Sequence, residues 1–189
     1  MLKTLQIKLL PEDNQKDILL GTFKKFNEAC NFVSKIAWDN KIYNKISLQK
    51  LVYYDIRNKF GLSAQLTIRV IAKVVDTYMV DRSIFHEFRE YGSIVYDQRI
   101  MSFKSMDEVS LNTINGRIRI PVTIGKYGEI PLDRMRGQCD LVRKHKLLWL
   151  TVLITRIYFL YHNILISVGI FYYIFYYPML FWIQSYMLH

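Results

Sequence analysis

Alternating and helical patterns of apolar residues follow one another at the start of the chain. Apolar and polar residues alternate over residues 2–10, which predicts a β-strand. Beyond this strand the apolar residues are spaced by three and four positions, which predicts an amphipathic helix that begins at Pro11 and ends near Trp38. The predicted buried face of this helix consists of Leu19, Phe23, Phe26, Cys30, Val33 and Ala37.

Two further helices are predicted after the first. Ser47 is placed to cap the second helix, and Gly61 is placed to end it. Ser63 is placed to cap the third helix, whose apolar side is predicted to be Ile68, Ile71, Ala72 and Val75.

A polar stripe of Gln65, Arg69 and Lys73, each four residues apart, lies on another side of the third helix. Cations and an amide at this spacing could follow a phosphate backbone, with Gln65 reaching a base edge. The same spacing also fits a solvated helix face, and the pattern alone leaves both interpretations open.

The second half of the charged region has strand patterns. Residues 93–103 alternate in part, and residues 108–122 alternate on both sides of Asn115-Gly116, which predicts a type I′ hairpin. Arg117 and Arg119 are predicted to share its outward face. A loop with Arg134 and Arg136 follows, and another strand begins at Asp140.

These elements predict an α+β fold in which an antiparallel β-domain is interrupted by helices. The β-domain is assigned to residues 1–10 and 91–146, and the helical insertion to residues 11–90. Residues 147–189 are predicted to form a hydrophobic, helical tail.

Charge narrows the classes of partner. All 16 acidic residues and all but one of the 26 Lys and Arg residues lie in residues 1–146, which carry a formal charge of +9. Such a surplus favours a nucleic acid or an anionic membrane as partner, although it could also serve solubility alone. Two cysteines and four scattered histidines do not form a zinc pattern, so no metal and no cofactor are predicted. Two reduced thiols fit a cytoplasmic protein.

Four blocks of this sequence, in order and at matching spacing, resemble the N-terminal half of the TnpB family, the OrfB-type transposases of insertion sequences. The resemblance covers about residues 1–144. The blocks are "KTLQIKLLPEDNQKDILLGTFKKFNEACNFVSKIA", "YYDIRNKFGLSAQLTIRVIAKVVDTY", "GSIVYDQRIMSF" and "NGRIRIPVTIG".

The resemblance implies an RNA-guided DNA endonuclease whose partners are a guide RNA and a target DNA. It implies a wedge-like β-barrel interrupted by a helical recognition domain, and it makes Gln65 the best candidate for a base contact. It also implies that basic residues on the barrel hold the nucleic-acid backbone, which in this sequence are Arg99, Arg117, Arg119, Arg134 and Arg136.

The catalytic part of that family has no counterpart here. The family continues into a ribonuclease H-like nuclease domain, where three carboxylates bind divalent metal ions that activate water. Residues 147–189 contain no Asp and no Glu, so they cannot build that centre. The resemblance therefore implies a nucleic-acid-binding fragment, truncated before its nuclease domain, that does not cleave DNA by itself.

The uncharged run over residues 157–183 is long enough to be a transmembrane candidate, since a bilayer core needs about 20 such residues. Basic residues just before it would place the N-terminal part in the cytosol. A reading-frame shift near Arg143–His145 is the competing explanation of this composition. Three hypotheses follow: a nucleic-acid-binding fragment, a small membrane-anchored protein with a basic cytosolic domain, or a non-functional relic that does not fold stably.

Overall fold

The computed structural model describes residues 2–124, 138–144 and 147–155. Residues Thr4–Leu153 form a compact unit. This unit contains all of the helices and strands described below, apart from the outer ends of the first and last strands.

The chain forms an α+β fold, as the sequence predicts. Strand β1 (Leu2–Leu9) is followed by three helices, α1 (Asp13–Asn40), α2 (Lys45–Phe60) and α3 (Ala64–Val80). The remaining strands are β2 (Ile94–Tyr96), β3 (Met101–Phe103), β4 (Glu108–Thr113), β5 (Gly116–Ile124), β6 (Cys139–Lys144) and β7 (Leu147–Thr155).

The strands form one antiparallel sheet that curves into a nearly closed barrel. Its strand order is β2-β6-β7-β1-β5-β4-β3, so the first strand lies in the middle of the sheet. Alternate residues of each strand face the interior and are buried, including Ile7, Tyr96, Leu111, Ile120 and Leu150. The helices are inserted between β1 and β2, as predicted.

The first helix buries its predicted face completely, because all six predicted residues are inaccessible to solvent. Its predicted start at Pro11 is wrong. The helix begins at Asp13, and the side chain of Gln15 accepts a hydrogen bond from the backbone N–H of Glu12, the residue that caps it. This contact satisfies one of the free N–H groups at the helix start.

The second helix starts before its predicted cap. The side chain of Asn44 accepts hydrogen bonds from the N–H groups of Ile46 and Ser47, at 3.0 and 3.2 Å, so Ser47 lies inside the first turn. The prediction that Ser47 caps this helix is therefore wrong. Gly61, with a φ of 66°, ends the helix as predicted.

The third helix has the predicted cap, since the hydroxyl of Ser63 accepts from the N–H of Leu66. Three of its four predicted apolar residues, Ile71, Ala72 and Val75, are buried. Ile68 is half-buried instead and lies at the edge of a cleft described below.

The hairpin of β4 and β5 is present, with Leu111 opposite Ile118 and Thr113 opposite Gly116. Its predicted turn type is wrong. Because Thr113 pairs with Gly116, the two central residues of the turn are Ile114 and Asn115. Neither has a positive φ, whereas a type I′ turn requires one at both central residues, and the positive φ of 91° belongs to Gly116 at the start of β5. The hydroxyl of Thr113 instead accepts from the N–H of Asn115 and donates to the carbonyl of Gly116.

The last strand extends the sheet past the boundary predicted at residue 146. β7 pairs with β6 in antiparallel register, with Leu141 opposite Leu150, and its residues Leu148 and Leu150 are buried. The apolar residues that follow Lys146 thus begin with a strand of the barrel. The predicted helix and transmembrane candidate over residues 157–183 lie outside the described residues. Within the described ranges, no helix is both long enough and apolar enough to cross a bilayer.

Candidate nucleic-acid interface

A tight turn at Asp97 divides the strand pattern of residues 93–103 into β2 and β3. The carboxylate oxygen Oδ1 of Asp97 accepts the backbone N–H of Arg99 at 2.9 Å, which is the contact of an Asx turn. The backbone carbonyl of Asp97 accepts the N–H groups of Ile100 and Met101. The turn leaves the side chains of Gln98 and Arg99 exposed at the edge of the barrel.

Two members of the predicted polar stripe on α3 meet the other oxygen of Asp97. Arg69 donates two hydrogen bonds to Oδ2, from Nε at 3.0 Å and Nη2 at 2.6 Å, and Gln65 Nε2 donates at 2.6 Å. The Arg69 and Asp97 side chains are only 14% and 12% exposed. At Gln65 and Arg69 the stripe is therefore not a solvated helix face. It is also not a row of free cations there, because the charge of Arg69 is paired with Asp97.

The ionisation of Asp97 follows from these contacts. Burial opposes the charged carboxylate, but hydrogen bonds from Arg69, the Arg99 backbone and Gln65 outweigh it, so the pKa of Asp97 lies below its usual value. A carboxylate only accepts hydrogen bonds, so the amide nitrogen of Gln65 must face it. The atom that Gln65 can offer to a ligand is then its amide oxygen.

An open cleft with a volume of about 620 Å³ lies between α3, the start of α2 and the barrel. Three cations, three amides, one carboxylate and one apolar side chain line it: Lys45, Arg69, Arg99, Gln65, Gln98, Gln138, Asp97 and Ile68. The one carboxylate is held by Arg69, so the lining presents positive charge and amide groups to an incoming ligand.

The predicted basic residues of the barrel divide between this cleft and the surface beside it. Arg117 donates from Nη2 to the backbone carbonyl of Arg99 at 2.8 Å, which brings its guanidinium to the turn at the cleft edge. Arg119 is exposed and lies 3.7 Å from the carboxylate of Glu108, a surface pair that contributes little to stability. Arg134 and Arg136 lie outside the described residues.

The third member of the predicted stripe, Lys73, points into the junction between helices and sheet. Its Nζ donates to the side-chain oxygen of Asn27 at 3.1 Å and to the carbonyl of Ser93 at 2.5 Å. The rings of Phe26 and Phe88 lie 5.5 and 5.2 Å from the same nitrogen. Burial lowers the pKa of Lys73, and Cys30 and Asp140 act in the opposite direction. Lys73 is thus part of the packing and not of the cleft.

The sequence patterns missed Lys45, Gln98 and Gln138 as members of the cleft. A signal for Lys45 does exist, because a cation in the first turn of a helix opposes the helix dipole and is unfavourable without another role. The signal for Gln98 is the Asp-x-Arg turn sequence of residues 97–99, which interrupts a strand pattern. Gln138 lies just before β6, and its position depends on sheet pairing that the sequence does not reveal.

The cleft has the groups for binding an anion and lacks those of a hydrolytic metal centre. Across the residues that the structure covers, no three His, Cys, Asp or Glu side chains are grouped to hold a metal ion. Cationic groups beside amides fit a ligand with phosphates and base edges.

Comparison with known protein families finds no family model that matches the chain, and comparison with curated proteins finds no significant match. The function is therefore inferred from the cleft and from the order of the four sequence blocks.

Proposed function

We propose that this chain is a nucleic-acid-binding protein, corresponding to the N-terminal part of a transposon-encoded, RNA-guided DNA endonuclease. In this proposal its partners are a guide RNA and a target DNA, and it acts in the cytoplasm without cutting DNA by itself. The observation that supports it best is the cleft, where Arg99 and Lys45 offer charge and Gln65 offers an amide oxygen.

The shape and chemistry of the cleft favour a nucleic acid over other anions. A membrane surface is flat, whereas the cations here line a concave site. The three amides add donors and acceptors of the kind that read base edges. Arg117 donates to the backbone carbonyl of Arg99 and so extends the positive surface beyond the cleft edge.

The Asp97 contacts give Gln65 and Arg69 different roles in this proposal. Arg69 holds the turn that presents Arg99, and its own charge is shared with Asp97. Gln65 is fixed through its nitrogen, so its oxygen would accept from a base amino group such as that of adenine or cytosine. Arg99 and Arg117 would contact phosphates, which gives affinity without sequence preference.

The test is binding of the full-length chain to labelled duplex DNA and to a structured RNA, measured by fluorescence anisotropy over a series of salt concentrations. We expect Arg99→Ala and Arg117→Ala each to weaken binding and to reduce the slope of log affinity against log salt by about one. Arg82→Ala is the matched control, because Arg82 is an exposed arginine beyond the end of α3 and does not line the cleft. Equal effects of all three variants, or a wild-type chain that binds neither polymer, would contradict the proposal.

A further inference from the structure

The outward face of α2 carries an exposed pattern that the cleft does not use. Leu48, Val52 and Ile56 bury the inner face of this helix. The residues on the opposite side are Ile46, Lys50, Tyr54 and Arg57, which follow one another at steps of three and four and are all exposed. We call these four residues the α2 stripe.

The centre of the α2 stripe is an aromatic ring that packing does not explain. Tyr54 is 74% exposed, and Ile46 at the start of the stripe is 68% exposed. The neighbouring Tyr53 is half-buried, and its ring lies edge-to-face with Tyr54 at a centroid distance of 5.3 Å and an interplanar angle of 88°. Tyr53 therefore supports the ring of Tyr54 from one side while most of that ring stays open to solvent.

Charge around this ring is mainly positive. Helix α2 contains four cationic residues, Lys45, Lys50, Arg57 and Lys59, against one carboxylate, Asp55. Among the salt bridges of the described residues, none involves Lys50 or Arg57. Tyr54 is thus flanked, one helical turn away on each side, by cations that form no salt bridge within the described part of the chain.

The α2 stripe begins one residue after the cleft. Lys45, the first residue of α2, lines the cleft, and Ile46 follows it directly. From Ile46 to Arg57 the helix rises by about 16 Å. A stacked strand rises by about 3.4 Å per nucleotide along its axis, so the stripe is long enough for about four to five nucleotides.

We propose that the α2 stripe binds a single-stranded segment of nucleic acid that continues from the cleft. Tyr54 stacks against a base, and Lys50 and Arg57 contact the phosphates on either side of it. A duplex would not use the ring, because its bases are already stacked on one another, whereas an unpaired base has a free face. This inference rests on the proposed function, since it gives the class of ligand for a second surface of the same nucleic-acid-binding protein.

The experiment compares two short single strands of equal length with the full-length chain. One is oligodeoxythymidylate and the other is an abasic strand with the same number of phosphates. We expect Tyr54→Ala to weaken binding of oligodeoxythymidylate about tenfold and to leave binding of the abasic strand unchanged. Tyr54→Phe keeps the ring and should bind as the wild type does. Tyr91→Ala is the matched control, because Tyr91 is another partly exposed tyrosine next to an arginine, Arg143.

Each result separates this inference from the proposed function. Suppose that Tyr54→Ala binds oligodeoxythymidylate as tightly as the wild type does, while Arg99→Ala binds duplex DNA more weakly. This result would overturn the inference and leave the proposed function standing. An equal loss on both single strands would overturn stacking by Tyr54. A wild-type chain that binds no polynucleotide would overturn both proposals. Circular dichroism of each variant checks that the helices remain folded.

Discussion

The guanidinium nitrogen Nη2 of Arg69 lies 2.6 Å from the carboxylate oxygen Oδ2 of Asp97, and this contact joins helix α3 to the turn between β2 and β3. Both side chains are mostly shielded from water, so removal of one would leave the other without its partner in a poorly solvated position. The same carboxylate holds the backbone of Arg99, which lines the cleft.

Replacement of Asp97 by Asn is expected to lower the free energy of unfolding by about 2 kcal/mol at neutral pH, because Arg69 loses its charged acceptor. Urea unfolding monitored by circular dichroism measures this change. Asp76→Asn is the control, because Asp76 is exposed on α3, and it should change stability by less than about 0.5 kcal/mol.

The effect of Asp97 should also depend on pH in a defined direction. The pKa of Asp97 is lower in the folded state than its usual value, so the unfolded state binds the proton first as pH falls. The stability that ionised Asp97 contributes is therefore present above about pH 4 and is lost as pH falls through the folded pKa. The difference in free energy of unfolding between wild type and Asp97→Asn should shrink over that range. A difference that stays constant would contradict the lowered pKa of Asp97.

Lys73 gives a pH dependence in the same direction as Asp97, but in the alkaline range. Burial lowers its pKa in the folded state, so between that pKa and the usual value of 10.5 the unfolded state holds more protons, and the contribution of Lys73 to stability increases as pH rises. Burial raises the pKa values of the Cys30 and Cys139 thiols to about 12. These two thiols therefore lower the stability of the protein as pH rises in the alkaline range. The contribution of Lys73 must therefore be obtained as a difference between two proteins.

The comparison is between wild type and Lys73→Met in urea unfolding from neutral to alkaline pH. At neutral pH we expect the variant to be less stable by about 2 kcal/mol, because the side-chain oxygen of Asn27 and the carbonyl of Ser93 lose their donor. The deficit should grow as pH rises towards 10.5, and Lys35→Met, at an exposed position of α1, should show neither change. A deficit that is absent at neutral pH would contradict the packing role of Lys73.

The hairpin between β4 and β5 depends on the backbone of a single glycine. Gly116 has a φ of 91°, and a Cβ added there would meet no atom within 4 Å, so Gly116→Ala should be unfavourable through backbone conformation alone. We expect a loss of about 1 kcal/mol in thermal unfolding. Asn115→Ala should be close to neutral, because Asn115 lacks a positive φ. Equal losses at both positions would instead fit the type I′ turn.

The sequence predicts the helices well because their signals are local. The buried face of α1 follows from spacing alone, as does the cap at Ser63. The start of α2 was missed because Asn44 and Ser47 are both good capping residues three positions apart, and the actual choice depends on where the preceding loop ends. The end of the barrel was missed because β7 is apolar almost throughout and therefore lacks the alternation that marks a half-exposed strand.

The candidate site could be predicted only in part. Gln65 and Arg69 stand out by their spacing on α3, but the carboxylate that holds them is about 30 residues further along the chain and becomes a neighbour only when the helices pack on the sheet. The same spacing placed Lys73 with them, although one more helical turn moves it from the cleft into the helix–sheet junction. Contacts between distant segments decide which charged side chains remain available to a ligand.

The central position of β1 has a consequence for the order of events during synthesis. The first strand leaves the ribosome before any of its neighbours, and its partners β5 and β7 begin only at Gly116 and Leu147. The three helices can form and pack in the interval, whereas β1 keeps two unpaired edges until most of the chain has emerged. Until these partners have been synthesised, the edges of β1 are open to wrong pairing, and closure of the barrel is a late, long-range step.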